Sequence, residues 1–189
     1  MVNRIVMAGL LCLICAAGYA QKYTPVEVED KGVTLYMPEG LSPATAEDLR
    51  QKYVSSHPPL VLYTSPDRQA DLGVNAAPTP WGAQDLNLLR DIYKSNLMNL
   101  YDDVTFMQDT IVNREGRDFI LFEFVGTLNP DENSLTRQAA LKKYQYLMYT
   151  VRDFQVLMFF FIAPAGQQSM WQEPIAAAMD KIRIKEKNK

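Results

Sequence analysis

The chain has 189 residues, of which 48% are hydrophobic and 22% are charged. This balance is typical of a folded domain and excludes a chain that is disordered throughout. Acidic residues number 22 against 19 basic ones, so the formal net charge of -3 argues against a nucleic-acid-binding protein. One His and two Cys are too few for an ordinary zinc site, and we predict no cofactor.

The first 20 residues have the pattern of a secretory signal peptide. A basic residue near the start precedes an uncharged, mostly apolar run at residues 5–17, and Gly18 and Ala20 are small residues before Gln21. We predict cleavage between Ala20 and Gln21, which would place residues 21–189 in the periplasm or outside the cell. A membrane anchor is the alternative, but a spanning helix needs about 20 apolar residues.

Both cysteines, Cys12 and Cys15, lie within the apolar run. Lipoprotein signals carry a small residue before the modified cysteine, whereas Leu11 and Ile14 are bulky, so we do not predict lipidation. Cleavage would leave 169 residues with 18 basic and 22 acidic side chains and no cysteine. The mature chain would therefore have no disulfide, no thiol nucleophile and no thiolate metal ligand.

Short strands and one helix are predicted for the first third of the mature chain. Ser42 and Pro43 predict a helix start, since a hydroxyl caps the first turn and proline fits it. Ala46, Leu49 and Tyr53 then share one face of that helix. Runs rich in β-formers and bounded by turn residues predict strands at residues 26–29, 33–37, 60–63 and 70–74, followed by a Pro-rich loop at residues 77–82.

A long helix and two hairpins are predicted next. Residues 85–101 form the helix, because its apolar residues recur at steps of three and four and make one stripe. These residues are Leu86, Leu89, Tyr93, Leu97 and Leu100. One hairpin has its turn at residues 113–116 and the other at Arg152 and Asp153. Residues 156–163 are apolar at every position, which is typical of a strand covered on both faces. The predicted strands of the hairpins are residues 104–112 with 118–128, and residues 142–151 with 154–163.

A helix closes the chain. Ser169 and Gln172 have the spacing of a capping box, and Pro174 favours a helix start a few residues later. The apolar residues on one face of this helix are Trp171, Ile175, Met179 and Ile182. Hairpins in one run and helices in another predict an α+β fold, an antiparallel sheet with helices on both faces. We predict a single domain over residues 21–189 that ends in a basic tail.

Four features follow one another along the chain: a strand ending at Met37 and Pro38, the helix at residues 85–101, the strand at residues 157–163, and Trp171 before a helix ending at residues 179–184. Their order resembles the PsbP-like family, named for an extrinsic subunit of photosystem II. The same fold is found in a Ran-binding nuclear import factor and in small bacterial envelope proteins. The resemblance implies an α/β/α sandwich over residues 26–184 and a non-enzymatic protein that docks on other proteins. With a single His, the metal sites of plant members are not carried over. The opening at Gln21 is also similar to exported proteins of Bacteroidetes.

No catalytic signature is present in the sequence. His57, the only imidazole, follows a predicted helix and precedes two prolines, and we interpret it as a surface residue. No Gly-x-Ser-x-Gly motif, Ser-x-x-Lys pair or phosphate loop occurs. Asn129, Asp131 and Asn133 alternate like calcium ligands, but the glycine and glutamate that such a loop needs are replaced by Ser134 and Ala140. Four acidic residues are candidates for a carboxylate-based hydrolase: Asp102, Asp103, Glu115 and Glu123.

Three features are candidates for binding. Trp81 lies in the Pro-rich loop and is either a binding anchor or folded back onto the core. Tyr144 and Tyr146 share one face of a strand, with Tyr149 opposite, and form either a ligand groove or core packing. Lys185 and Lys187 belong to an alternating basic tail that either contacts anionic lipid or an acidic partner, or is solvated.

Three functions remain open from the sequence. The favoured one is an exported non-enzymatic accessory protein that docks on an envelope protein or complex, with at most peripheral membrane contact. The second is a periplasmic protein that binds a small apolar ligand or lipid, motivated by 10 Tyr, 8 Phe and 2 Trp. The third is the carboxylate-based hydrolase.

Overall fold

The computed structural model describes residues 22–28, 31–53, 58–130 and 139–185. These residues form two antiparallel sheets and three helices. The strands of the larger sheet are β3 (Ser42–Pro43), β4 (Val61–Thr64), β5 (Asp71–Pro78), β6 (Asp103–Arg114), β7 (Arg117–Leu128), β8 (Leu141–Arg152) and β9 (Gln155–Pro164). Their order across the sheet is β3-β4-β5-β9-β8-β7-β6.

A small second sheet has the order β1-β2-β10. Its strands are β1 (Tyr23–Val28), β2 (Val33–Pro38) and β10 (Arg183–Ile184). The predicted pairing of the first two strands is confirmed, with Val28 opposite Val33. Their sequence did not indicate that they lie outside the main sheet, or that β2 also pairs with the last strand, β10.

The two central strands of the large sheet, β8 and β9, are covered on both faces, as predicted for residues 156–163 of β9. In β8, Tyr144 and Tyr146 point into one core while Leu147 and Tyr149 point into the other. Successive side chains of a strand point to opposite faces, so a strand apolar at every position must be buried twice. The predicted α+β fold with helices on both faces is confirmed.

One face of the large sheet is covered by α1 (Ala46–Lys52) and α2 (Leu86–Leu100). Leu86, Leu89 and Leu97 of α2 are buried in the same cluster as Phe122 and Phe124 of β7. Most of the apolar stripe predicted from the sequence is therefore the buried face of α2, but Leu100, at the end of the helix, is exposed. Burial of such side chains stabilises the fold by about 2 kcal/mol each.

The opposite face is covered by α3 (Gln168–Asp180) together with the small sheet. Trp171 packs on Phe161 of β9, with ring centroids 5.4 Å apart, and Ile175 and Met179 are buried beside it. The predicted apolar face of this last helix is confirmed. No helix among the described residues is long and apolar enough to cross a membrane.

Three predicted element ends are wrong. Ser42 and Pro43 do not start a helix, since they pair with Tyr63 and Thr64 as the edge strand β3. Helix α1 starts at Ala46 because Thr45 and Asp48 form a capping box, in which the Asp48 amide donates to Thr45 Oγ1 over 3.1 Å.

Helix α3 begins at Gln168, so Ser169 lies inside it rather than at its cap. Pro174 also lies inside α3. Proline removes one backbone hydrogen bond from a helix, but Trp171 and Ile175 on either side are buried, and that burial offsets the loss. The second hairpin turns at Asp153 and Phe154, one residue later than predicted.

Candidate functional site

A surface groove of about 370 Å³ lies beside Trp81. Its floor consists of residues from β5 and β9, one wall is a side of α2, and the loop after β5 contributes Trp81. The residues that define the groove are Ala77, Trp81, Ile92, Tyr93, Val156 and Met158.

The loop that carries Trp81 is held at both ends by hydrogen bonds. The Thr79 amide donates to the carbonyl of Phe154 over 2.9 Å, and the Trp81 amide donates to Thr79 Oγ1 over 3.2 Å. The Gly82 amide then donates to Asp85 Oδ2 over 2.8 Å, directly before α2. These bonds fix the backbone on either side of an indole that is 36% exposed.

Two stacked tyrosines stand at the helix side of the groove. The rings of Tyr93 on α2 and Tyr149 on β8 have centroids 4.6 Å apart and an interplanar angle of 22°. Burial raises the pKa of both hydroxyls above the usual value near 10. Both therefore stay neutral at physiological pH and can donate a hydrogen bond.

No charged residue lines this groove, although charge is common in the other clefts of the described surface. Arg114 and Glu115 line the cleft at the end of the large sheet. Glu39 and Asp67 line a second, beside α3, and Lys52 lines a third, beside α1. The groove is thus suited to an uncharged, mainly apolar occupant.

Phe154 is an exposed aromatic residue that the sequence analysis missed. It lies at the tip of the β8–β9 hairpin, is 70% exposed and has a φ of 55°. Its carbonyl bonds to Thr79, so this tip adjoins the loop of Trp81. In the sequence, Phe154 directly follows Arg152 and Asp153. The apolar pattern of the next strand includes Phe154, so the sequence predicts it as a strand residue rather than as part of the turn.

Tyr144 and Tyr146 are core residues. Both rings are almost completely buried between the large sheet and α3. The Tyr144 hydroxyl donates to Glu123 Oε1 over 3.0 Å, and burial beside this carboxylate raises its pKa. The two residues do not contribute to the exposed groove, whereas Tyr149 on the opposite face does.

The four candidate carboxylates are not brought together. Asp102 and Asp103 lie at one end of β6, and Glu115 lies in the turn at the other end, about 35 Å away for a strand of this length. Glu115 forms an ion pair of 3.3 Å with Arg183, and Glu123 is buried in the middle of β7. No two of them form an acid–base pair across a cleft.

In the described part of the chain, no cluster of three or more His, Cys, Asp or Glu side chains could hold a metal ion. His57 and the calcium-like residues Asp131 and Asn133 lie outside the described residues. The predicted signal peptide and both cysteines also lie outside them.

Of the basic tail, Lys185 is described and Lys187 is not. The Lys185 amide donates to the Gly32 carbonyl over 2.8 Å, which extends the contact between the chain end and the small sheet. Its ammonium group is exposed and lies 3.3 Å from Glu27 Oε1. An exposed pair of this kind contributes less than about 1 kcal/mol to stability.

Comparison with known proteins identifies the fold. No family model matches the sequence, and no curated protein matches it either. Among solved structures, the cyanobacterial PsbP protein CyanoP of Synechocystis is 12% identical, with a TM-score of 0.56 over 90% of this chain and 97% of that one. The yeast Ran-binding protein Mog1p is also 12% identical, with a TM-score of 0.56 over 87% and 96% of the two chains.

A third similar structure is LpqN of Mycobacterium tuberculosis, which is described as involved in cell envelope biogenesis. It is 11% identical, with a TM-score of 0.53 over 88% of this chain and 92% of LpqN. The chain has a PsbP-like fold, as its resemblance to that family implied. At these identities, the likeness concerns the fold and not the site residues.

Proposed function

We propose that this chain is an exported accessory protein without catalytic activity that docks on a protein or complex of the cell envelope. The docking surface is the groove beside Trp81 together with the hairpin tip at Phe154. The observation that carries the proposal is an exposed, uncharged aromatic groove on a rigidly held loop and helix. Aromatic side chains that are partly exposed on a rigid backbone are typical anchors of protein interfaces.

Several further observations support docking over catalysis. The candidate carboxylates are separated, and Glu123 is occupied by hydrogen bonds inside the protein. Mog1p is named as a Ran-binding protein and LpqN is described as involved in cell envelope biogenesis, so proteins of this fold serve elsewhere in binding and in envelope biogenesis. We also propose that residues 21–189 are exported after cleavage of the signal peptide.

Site-specific photocrosslinking in the native host tests the proposal. A photoreactive amino acid is placed at Ile92 in the groove wall, and, as a control, at Met98, which is exposed on the same helix but does not line the groove. We expect one dominant envelope protein to crosslink from Ile92 and not from Met98. Equal crosslinking from both positions, or none from either, would contradict a docking role for the groove.

A matched pair of substitutions makes the result specific. Trp81→Ala should abolish the crosslink from Ile92, because the indole is the largest exposed ring of the groove. Leu88→Ala removes a side chain that is more exposed than Trp81 but lies outside the groove, and it should leave the crosslink unchanged. Loss of the crosslink in both variants would point to general surface hydrophobicity instead.

A small apolar ligand is the second candidate, because the groove volume reaches the lower end of the range for ligand sites. Native mass spectrometry of the protein purified from its host distinguishes the two. A bound small molecule that is lost with Trp81→Ala would favour this second candidate.

A further inference from the structure

We propose that the groove beside Trp81 takes an uncharged, proline-rich segment of the partner in the polyproline II conformation. This inference rests on the proposed function, since it specifies the chemistry of the segment that docks there.

Four residues that line the groove carry hydrogen-bond donors for which no acceptor is found among the described residues. These are the indole N–H of Trp81, the side-chain amide of Asn75 and the hydroxyls of Tyr93 and Tyr149. The other tryptophan, Trp171, by contrast donates its indole N–H to Gln167 Oε1 over 3.2 Å. An apolar groove with unused donors fits a ligand that combines apolar surface with free acceptors.

The backbone of a polyproline II segment supplies such acceptors. It forms no internal hydrogen bonds, so its carbonyl groups remain free, whereas a helix uses its own carbonyls internally. At the groove floor β9 is paired on both sides, with β5 and β8, so this strand offers no free edge to an added β-strand.

The walls and charge of the groove agree with this ligand. Aromatic side chains line the grooves in which polyproline II segments are recognised, because flat rings pack against proline rings. Trp81 and Tyr93 provide such rings. The lack of charged lining residues disfavours an acidic or basic peptide. Because the groove is open, it would leave much of a compact small molecule exposed, whereas it can contact an extended segment along one side.

Nuclear magnetic resonance of the ¹⁵N-labelled protein tests the inference with defined peptides. The probe is a capped decaproline, and a capped Gly-Ser decamer of equal length is the control without polyproline II preference. The chain has two tryptophans, so two indole N–H signals report separately. We expect decaproline to shift the Trp81 indole signal at about 1 mM and to leave the buried Trp171 signal in place.

A variant and a third peptide complete the design. Trp81→Phe keeps an aromatic ring and removes the indole donor, and we expect it to weaken decaproline binding by about tenfold, while Leu88→Ala leaves it unchanged. The third peptide is an apolar Ala-Leu helix of similar length. A shift with this helix and none with decaproline would overturn the polyproline assignment.

The outcome is separable from that of the proposed function. If decaproline fails but the crosslink from Ile92 still depends on Trp81, the groove docks a partner of other chemistry and only this inference is wrong. If both fail, the docking function is wrong as well. Binding of the Gly-Ser decamer as tightly as decaproline would also overturn the inference.

Discussion

The Tyr144 hydroxyl donates a hydrogen bond of 3.0 Å to Oε1 of Glu123, a buried carboxylate on the adjacent strand. Gln172 of α3 donates to the same oxygen over 2.7 Å, and Gln108 of β6 donates to Oε2 over 2.5 Å. No basic side chain among the described residues pairs with Glu123. Neutral donors from three elements thus satisfy the carboxylate and connect α3 to the large sheet.

Removal of the Tyr144 hydroxyl should therefore destabilise the protein. Tyr144→Phe leaves the buried carboxylate with one donor fewer, and we expect the free energy of unfolding to fall by about 2 kcal/mol. Tyr146→Phe is the matched control, because Tyr146 lies on the same strand and face but its hydroxyl bonds to no described residue. Urea unfolding measures both, and equal losses would show that Glu123 does not depend on this bond.

Buried tyrosines should make the protein sensitive to alkaline pH. Burial raises the pKa of Tyr53, Tyr144, Tyr146 and Tyr149 in the folded state. Above about pH 10 the unfolded chain loses these protons while the folded chain keeps them, so stability is complete below that pH and falls above it. For each tyrosine the slope approaches about 1.4 kcal/mol per pH unit well above pH 10.

Urea unfolding between about pH 9 and about pH 11 measures this slope. Tyr149→Phe should make it shallower by the contribution of one tyrosine. At neutral pH the variant is compared with the natural chain, so that its loss of packing is separated from its effect on titration. A flat pH dependence, or the same slope in the variant, would show that these hydroxyls ionise equally in both states.

Much of the fold could be predicted from the sequence, because most of its elements carry a strong local pattern. The stripe of Leu86, Leu89 and Leu97 defines α2, and the unbroken apolar run of β9 indicates a sheet covered on both faces. These patterns reflect burial, which repeats with the period of the element. The two hairpins could also be predicted, because the strands of each hairpin lie next to each other in the sequence.

The features that were missed depend on distant or competing contacts. The departure of β1 and β2 from the main sheet requires β10, some 150 residues later. Ser42 and Pro43 fit a helix start as well as an edge strand, and pairing with β4 decides between them. For the site, Trp81 was identified as an anchor candidate, but its groove combines β5, α2, β8 and β9, and no local pattern predicts that combination.

A close approach in the sheet makes Gly73 necessary. A Cβ atom at this position would lie 2.6 Å from Cζ of Phe160 and 2.8 Å from the carbonyl oxygen of Val61. We expect Gly73→Ala to lower the free energy of unfolding by about 3 kcal/mol, since backbone and a core ring must both move. Gly166→Ala is the control, because nothing lies within 4 Å of its Cβ position, and it should be neutral or slightly stabilising.

We expect a different sequence in the turn of the β8–β9 hairpin to stabilise the protein. Asp153 and Phe154 have φ values of 51° and 55°, a conformation that Asn-Gly adopts far more readily. The double substitution to Asn-Gly should raise the free energy of unfolding by about 1 kcal/mol. It should also weaken the crosslink from Ile92 if Phe154 belongs to the docking surface. Unchanged stability would show that the turn is not strained.

Processing at the predicted signal site is the remaining prediction. Peptide mass spectrometry of the protein from host cells should find a chain that starts at Gln21, because Ala20 and Gly18 present small residues to the peptidase. Ala20→Arg should block cleavage and leave the longer form attached to the membrane fraction. Tyr19→Arg is the control, since it changes a neighbouring position that the peptidase does not select for size. If the natural chain retained residues 1–20 in the envelope, the run at residues 5–17 would be an anchor, and docking would take place at the membrane surface.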